Sequence, residues 1–237
     1  MRWPTARSVY LLGRCDAAEL ERRTLAYYER GTPFDEAQYL TEGLQGWEVE
    51  AVLKHFPPAG RILLAAAGGG REAVALAAMG YEVAPFDPSG RLAGRLRALT
   101  GDGPEIVRSA LTAVPRFEEK FDAAIIGWGG YTHIPEAARR VAFLRALAAQ
   151  MKRGAPLLLS FFLRRQGGWR PAVCALASNA IRIAGRLERT VEPGDTMTDK
   201  FEHHFTRREV EIELAGAGLG PAEFQSRPFP HAVAKLL

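Results

Sequence analysis

A chain of 237 residues, 47% hydrophobic and 24% charged, has the make-up of one large globular domain with a substantial core, with room for a small appended lid. No apolar run approaches the ~20 residues of a bilayer-spanning helix, and the patch Val9 to Leu12 is too short for the core of a secretion signal, so no stable membrane insertion and a cytoplasmic location are expected. The net charge of +4 is modest and the arginine pairs (Arg22/Arg23, Arg139/Arg140, Arg164/Arg165, Arg207/Arg208) are dispersed, with no basic stripe interleaved with aromatics, so nucleic acid is not an expected partner.

The first 56 residues carry two helical stretches, 17–30 and 35–55, separated by the breaker Gly31-Thr32-Pro33. Short apolar runs at 61–67 (RILLAAA), 81–86 (YEVAPF), 121–127 (FDAAIIG) and 156–162 (PLLLSFF) read as buried strands, each bounded by Gly, Pro or charge. Helical patterns at 72–79, 89–99 and 137–151 separate them. This alternation predicts βαβ units and a parallel sheet covered on both faces. Ligands of such sheets bind beyond the C-terminal strand ends, which directs attention to the segments after Ala67, Phe86, Gly127 and Phe162. An amphipathic stretch at 169–187 and a turn at 192–195 follow; the stretch suits a cap over a pocket, or a membrane surface or partner. The chain closes with a helix at 207–217 and strands at 222–226 and 231–236, a hairpin. Cys15 and Cys174 form neither a disulfide framework nor a metal-ligand spacing.

Ala65 to Gly70 (AAAGGG) joins the first strand to the helix that starts near Glu72. Small residues there let the backbone turn sharply and let a ligand approach the amides at the helix start. Asp87, seventeen residues beyond Gly70, closes the next strand, where a carboxylate can accept both hydroxyls of a ribose. Together they predict a nucleoside ligand. Gly68 to Ala73 also satisfies the G-x-G-x-x-A pattern of dinucleotide sites. Against a nicotinamide cofactor stand the helical segment before the loop and the helix-plus-hairpin end. An NAD(P)-dependent oxidoreductase and a non-catalytic nucleoside-binding protein are the competing readings.

The run RILLAAAGGGREAVALAAMGYEVAPFDPS resembles the first two motifs of class I S-adenosylmethionine-dependent methyltransferases. FDAAIIGWGG is similar to their fourth-strand motif, LRALAAQMKRGAPLLLSFF to their helix and fifth strand, and FTRREVEIELAGAGL to their late helix. The resemblance implies a Rossmann-like three-layer α/β sandwich over 57–237, with a mostly parallel seven-stranded sheet and an antiparallel C-terminal hairpin. A helical lid at 1–56 and a cap insertion at 164–200 complete the expected organisation. It implies S-adenosylmethionine as cofactor, contacted by Ala66, Ala67, Gly68, Gly70, Glu72, Asp87, Pro88, Ala110, Leu111, Gly127 and Trp128. The sequence departs from the family pattern at Ala66, which stands for the first glycine. Leu64 replaces the usual acid before the loop, for which Glu72 can substitute. After the third strand, which the resemblance implies at about 105–108, Ala110 replaces an acid near the adenine, leaving main-chain and apolar contacts around Ala110 and Leu111 to hold the base.

The resemblance implies methyl transfer to a small-molecule acceptor whose reacting atom the sequence leaves open. The segment after the fourth strand, Gly127 to Pro135, lacks the Asn-Pro-Pro-Tyr signature of enzymes that methylate nucleobase or glutamine nitrogens. Trp128 and Tyr131 there can wall a pocket, and Tyr28 belongs to an aromatic lid with Tyr27, Phe34, Tyr39 and Trp47, residues that otherwise read as core. His133 and His204 are the candidate catalytic bases; His133 can equally cap the helix beginning near Glu136. His203 and His204, adjacent in an extended segment, point to opposite sides, so at most one faces the pocket. They have no partners at ligand spacing, and no metal is expected. Thr206 and Glu209 form a capping box. Oligomeric state is not legible in the sequence.

Overall fold

The computed structural model describes residues 5–32, 36–100, 106–164, 168–188 and 190–237. Pro33, Phe34, Asp35, Glu105 and Arg165, which figure in the expectations above, lie outside the described residues. Four helices come first: α1 (Ala6–Arg14), α2 (Ala17–Glu29), α3 (Ala37–Thr41) and α4 (Gly46–His55). The alternating sandwich follows as β1 (Arg61–Ala65), α5 (Arg71–Ala78), β2 (Glu82–Asp87), α6 (Gly90–Thr100), β3 (Val107–Arg108), β4 (Ala123–Ile126), α7 (Ala137–Ala148) and β5 (Pro156–Ser160). Then come β6 (Phe162–Leu163), α8 (Trp169–Ala184), β7 (Asp195–Met197), β8 (Phe201–Phe205), α9 (Arg207–Gly216), β9 (Leu219–Gln225) and β10 (His231–Leu236).

The main sheet has seven strands in the order β3-β2-β1-β4-β5-β10-β9. Strands β1 to β5 run parallel, and β10 is antiparallel to both β5 and β9. The continuous apolar run of β1 is explained by cover on both faces. Leu63 and Ala65 pack with Phe143, Leu147 and Leu214 on one side, and Ile62 and Leu64 with Val52, Leu76 and Trp47 on the other. Chain order reverses at β1, between β2 and β4, which opens a crevice at their C-terminal ends.

Three features depart from the sequence expectations. The helix expected over 35–55 is two helices, because the chain turns at Gly43 with φ +76° and restarts at a capping box formed by Gln45 and Glu48. Its second half, α4, is part of the sandwich core through Trp47, Ala51 and Val52. The region after β5 also holds a three-stranded sheet, β6-β8-β7, that the sequence reading lacks. Helix α1 likewise went unrecognised; Thr5 caps it, and it lies on α8, with the Ser178 hydroxyl donating to Val9 O at 3.1 Å.

A buried network fastens the second sheet to the first. Arg140 on α7 is 1% exposed and donates to Glu213 Oε1 at 2.7 Å and to Glu192 Oε2 at 2.8 Å, while the Tyr131 hydroxyl donates to Glu213 Oε2 at 2.5 Å. Removing one partner of a buried ion pair leaves an uncompensated charge. Glu213→Ala is therefore expected to lower stability by about 3 kcal/mol in urea unfolding.

Candidate active site

The crevice is a partly open cavity bounded by α2, α3, the start of α5 and the segments that follow β1, β2 and β4. Its floor is the β1–α5 loop. Ala66 (φ +51°), Gly68 (φ +55°) and Gly70 (φ +92°) adopt left-handed backbone, which folds the loop back so that Gly70 N donates to Ala67 O at 2.8 Å and α5 starts beneath the cavity. Asp87 closes one end of the floor. Its Oδ2 accepts from Gly68 N and its Oδ1 from Ser89 N, both at 2.8 Å, so each oxygen retains capacity for a further donor. Burial pushes its carboxyl up to about 6 against the opposing pull of the two amides. Pro88, Ser89, Leu92 and Leu111 continue this wall. Ser89 also donates to Glu29 Oε1 at 3.0 Å, latching α2 over the loop.

At the middle of the cavity stands an ion-pair cluster absent from the sequence reading. Arg71, 1% exposed, donates to both oxygens of Glu48 and to Glu72 Oε1, all at 2.8 Å, and to Gly43 O at 2.5 Å. Its guanidinium lies 5.5 Å from the Tyr39 ring centre and 5.9 Å from that of Trp128, beside two rings that stack on each other at 6.4 Å. Burial works against its charge, but Glu48 and Glu72 hold it ionised. Glu72 also accepts from Trp128 N at 3.3 Å; burial raises its carboxyl in spite of Arg71. Leu64, where the family pattern has an acid, is fully buried in the core instead.

The opposite end is built from α2, the 3₁₀ turn Gly130–His133 and β8. His133 Nδ1 lies 2.8 Å from Phe201 O, a carbonyl that can only accept, so the ring proton sits on Nδ1. Nε2 therefore accepts from the Tyr28 hydroxyl, also at 2.8 Å. Burial, with Lys200 nearby, lowers the His133 pKa to about 4, and burial raises that of Tyr28, so both are neutral near pH 7. Behind them, on the outward face of β8, Glu202 pairs with Lys200 and lies 3.7 Å from His204 Nε2. Burial opposes its ionisation, but His204 and Lys200 outweigh it and hold the carboxyl at about 2.

The expected site residues thus divide. Tyr28, Ala66, Ala67, Gly68, Glu72, Asp87, Pro88, Leu111, Trp128 and His133 line the cavity. Ala110 lines an adjoining cleft with Arg108 and Glu21, and Gly70 sets the turn. Gly127 lets two loops meet, since a Cβ there would lie 2.4 Å from Ala66 O. Two expectations are corrected. Tyr131 does not wall the pocket; it is wholly buried, stacked on Phe205 at 5.2 Å, because its hydroxyl finds Glu213 inside the core. His204 lies outside the lining, tilted over Phe162 at 5.6 Å; alternation along β8 puts it and Glu202 on one face. His203 points inward and does have partners. Its Nδ1 is 2.7 Å from Asp195 Oδ1, and Glu192, Asp195 and His203 bring potential ligand atoms within 4.8 Å of one another, beside the Arg140 guanidinium. Arg71, in the cavity lining, and Glu202, behind it, are charged residues the sequence reading does not single out. The available signals were a charged pair placed directly after a glycine loop and an acid two residues before His204.

No protein-family model and no curated protein matches the chain. Solved structures do. An S-adenosylmethionine-dependent methyltransferase of Methanosarcina mazei is 18% identical, with a TM-score of 0.61 over 82% of this chain and 99% of its own. An amino pentose methyltransferase of Micromonospora echinaspora, with S-adenosylmethionine bound, is 15% identical, with a TM-score of 0.59 over 90% and 95%. A sugar N-methyltransferase of a Streptoalloteichus species is 13% identical, with a TM-score of 0.56 over 99% and 94%. At these identities the likeness is one of architecture, and the chain has the Rossmann-like fold of class I S-adenosylmethionine-dependent methyltransferases.

Proposed function

We propose that this chain is an S-adenosylmethionine-dependent methyltransferase acting on the uncharged amino nitrogen of a small molecule. One observation carries the reading: a single cavity runs from a ribose-type carboxylate, Asp87, to the neutral Tyr28–His133 pair. In this reading the ribose hydroxyls donate to Asp87, the adenine lies by Leu111, and the buried Glu72 carboxylate faces the ammonium of the methionine end. The cofactor supplies a methyl group already activated by a sulfonium. Alignment of nucleophile, carbon and sulfur then provides most of the acceleration.

The choice of nitrogen follows from His133. A hydroxyl acceptor needs a base as bond formation proceeds. A histidine held at about 4, with one nitrogen on Phe201 O and the other taken by Tyr28, is poorly suited to that task. A neutral amine needs no base before attack. Tyr28 can accept one of its N–H bonds and so aim its lone pair, while His133 fixes the Tyr28 hydroxyl. The amino pentose and sugar N-methyltransferases among the matched structures agree with such an acceptor.

Calorimetry is expected to show micromolar-range binding of S-adenosylmethionine and S-adenosylhomocysteine and none of NADH; tight NADH binding alone overturns the reading. Asp87→Ala is expected to weaken S-adenosylhomocysteine roughly ten- to hundredfold, the loss of charged hydrogen bonds worth about 1.5–3 kcal/mol.

Acidity should act through the same residue. Binding that requires the Asp87 carboxylate loses up to about tenfold in affinity per pH unit below about 6. The free protein behaves in the opposite sense. A carboxyl whose folded pKa is raised holds its proton more tightly in the native state, so its contribution to stability falls as pH rises from about 4 to about 6. Asp87→Asn should remove both trends.

With small amines as acceptors and saturating cofactor, turnover should rise with pH along the acceptor's own deprotonation. Tyr28→Phe is expected to lower it about ten- to hundredfold while S-adenosylhomocysteine affinity holds. Preference for hydroxyl acceptors, with a rate inflection that His133→Gln abolishes, would show a general base and sink the amine assignment.

A further inference from the structure

Helix α8 is held to the protein by one side only. Ser178 donates to Val9 O, Arg182 donates to Leu12 O at 3.0 Å and to Cys15 O at 2.6 Å, and Ala175 joins the small core beneath. Its other side is apolar over the full length. Trp169, Leu176 and Ile183 are 68%, 69% and 78% exposed, and Val173, Ala172, Ala177, Ala180 and Ala184 are exposed with them. Arg170 is the one exposed charged residue within the helix. A contiguous apolar face of this kind marks an interaction surface.

The order of large and small residues on this face identifies the partner. Trp169, Val173, Leu176 and Ile183 recur at helical spacing and form a ridge, and Ala177, Ala180 and Ala184 form a shallow groove beside it. We propose that α8 pairs antiparallel with α8 of a second copy of this chain, about a two-fold axis passing between Leu176 and Ala177. That register sets Trp169 opposite Ala184 of the partner subunit, Val173 opposite Ala180 of the partner subunit, and Leu176 opposite Ala177 of the partner subunit. Every large residue in these couples meets an alanine, and the symmetry supplies each contact twice. A crossing near +20° keeps all three couples together with axes about 8 Å apart. Arg170 then lies against the C-terminal end of the partner helix, where the last carbonyls carry partial negative charge and the exposed Glu188 of the partner subunit follows.

A lipid surface is the less suitable occupant, since four of the eight apolar positions are alanines that offer little area to acyl chains but admit a neighbouring ridge. Sixteen residues of helix span about 24 Å. One such strip is smaller than the ~800 Å² per partner of a standard interface. The expected dimer is consequently of micromolar strength, with Tyr10 of the adjoining α1, 57% exposed, available at its margin.

The test is the mass of the full chain by sedimentation equilibrium from about 1 to about 200 μM, the range in which an interface of this size assembles. The expected result is a rise from the 26.0 kDa monomer towards twice that mass. Leu176→Glu and Ala180→Glu should each shift the midpoint by about tenfold or more, through buried like charges repeated by the symmetry. Both should leave circular dichroism and the thermal midpoint unchanged, because both side chains are exposed. Ile212→Glu, 59% exposed on α9, should leave the dimer intact. A chain monomeric throughout, or a dimer indifferent to both α8 variants, overturns the proposal. So does co-sedimentation of a monomeric chain with phosphatidylserine-containing vesicles, lost in Leu176→Glu, which would assign the face to lipid.

Discussion

A guanidinium can be buried only where carboxylates and carbonyls surround it, and Arg71 imposes that condition on the whole neighbourhood of the site. Its partners come from places far apart in sequence: Gly43 from the turn before α4, Glu48 from the start of α4, Glu72 from α5, and the rings of Tyr39 and Trp128 from α3 and the segment after β4. None of these segments can move away without exposing the others to an unpaired charge. The roof over the cavity, the glycine loop and the segment after β4 are thereby set in one relation. The pattern recurs, since Arg71, Arg140 and Arg182 are the largest fully buried side chains among the described residues. Each ties a segment outside the parallel sheet to the rest of the molecule.

The parallel sheet was legible because burial on both faces leaves a plain mark, four apolar runs of similar length with glycine or charge at their ends. The loop and Asp87 were legible for a related reason, as the backbone geometry there demands small residues and a fixed chain position. The second sheet was not. Strand β8, FEHHF, carries a glutamate and two histidines in five residues; His203 is buried against Asp195 and so hides a core position behind a polar residue. Tyr131 misled in the opposite way. An aromatic beside the fourth strand reads as pocket wall, and only the position of Glu213, eighty-two residues later, draws it into the core. Helices α3 and α4 were merged because the break at Gly43 depends on one backbone angle, and the glycine there stands alone without a neighbouring proline.

The two ends of the cavity differ in electrical character, and this difference organises the proposed chemistry. Near Asp87 and Glu72 buried carboxyls are pushed upward in pKa, which makes them receptive to donors and to positive charge brought in by a ligand. Near Tyr28 and His133 both groups are held neutral, and the nearest full charges are those of Glu202 and Lys200, paired with each other. For the proposed reaction, such a division offers carboxyls to the cofactor at one end and neutral groups to an unprotonated nucleophile at the other.

The alanine that stands where related folds have the first loop glycine occupies left-handed backbone, a conformation unfavourable for a residue with a side chain. Its methyl group fits because Gly130 faces it; a Cβ on Gly130 would lie 2.5 Å from Ala66 Cβ. One methyl group therefore fills a space that two positions share. The two positions are sterically coupled: glycine at 66 would leave room for a side chain at 130, whereas alanine at 66 requires glycine at 130. The residues permitted in the segment after β4 are thus limited by the residue that occupies the loop after β1.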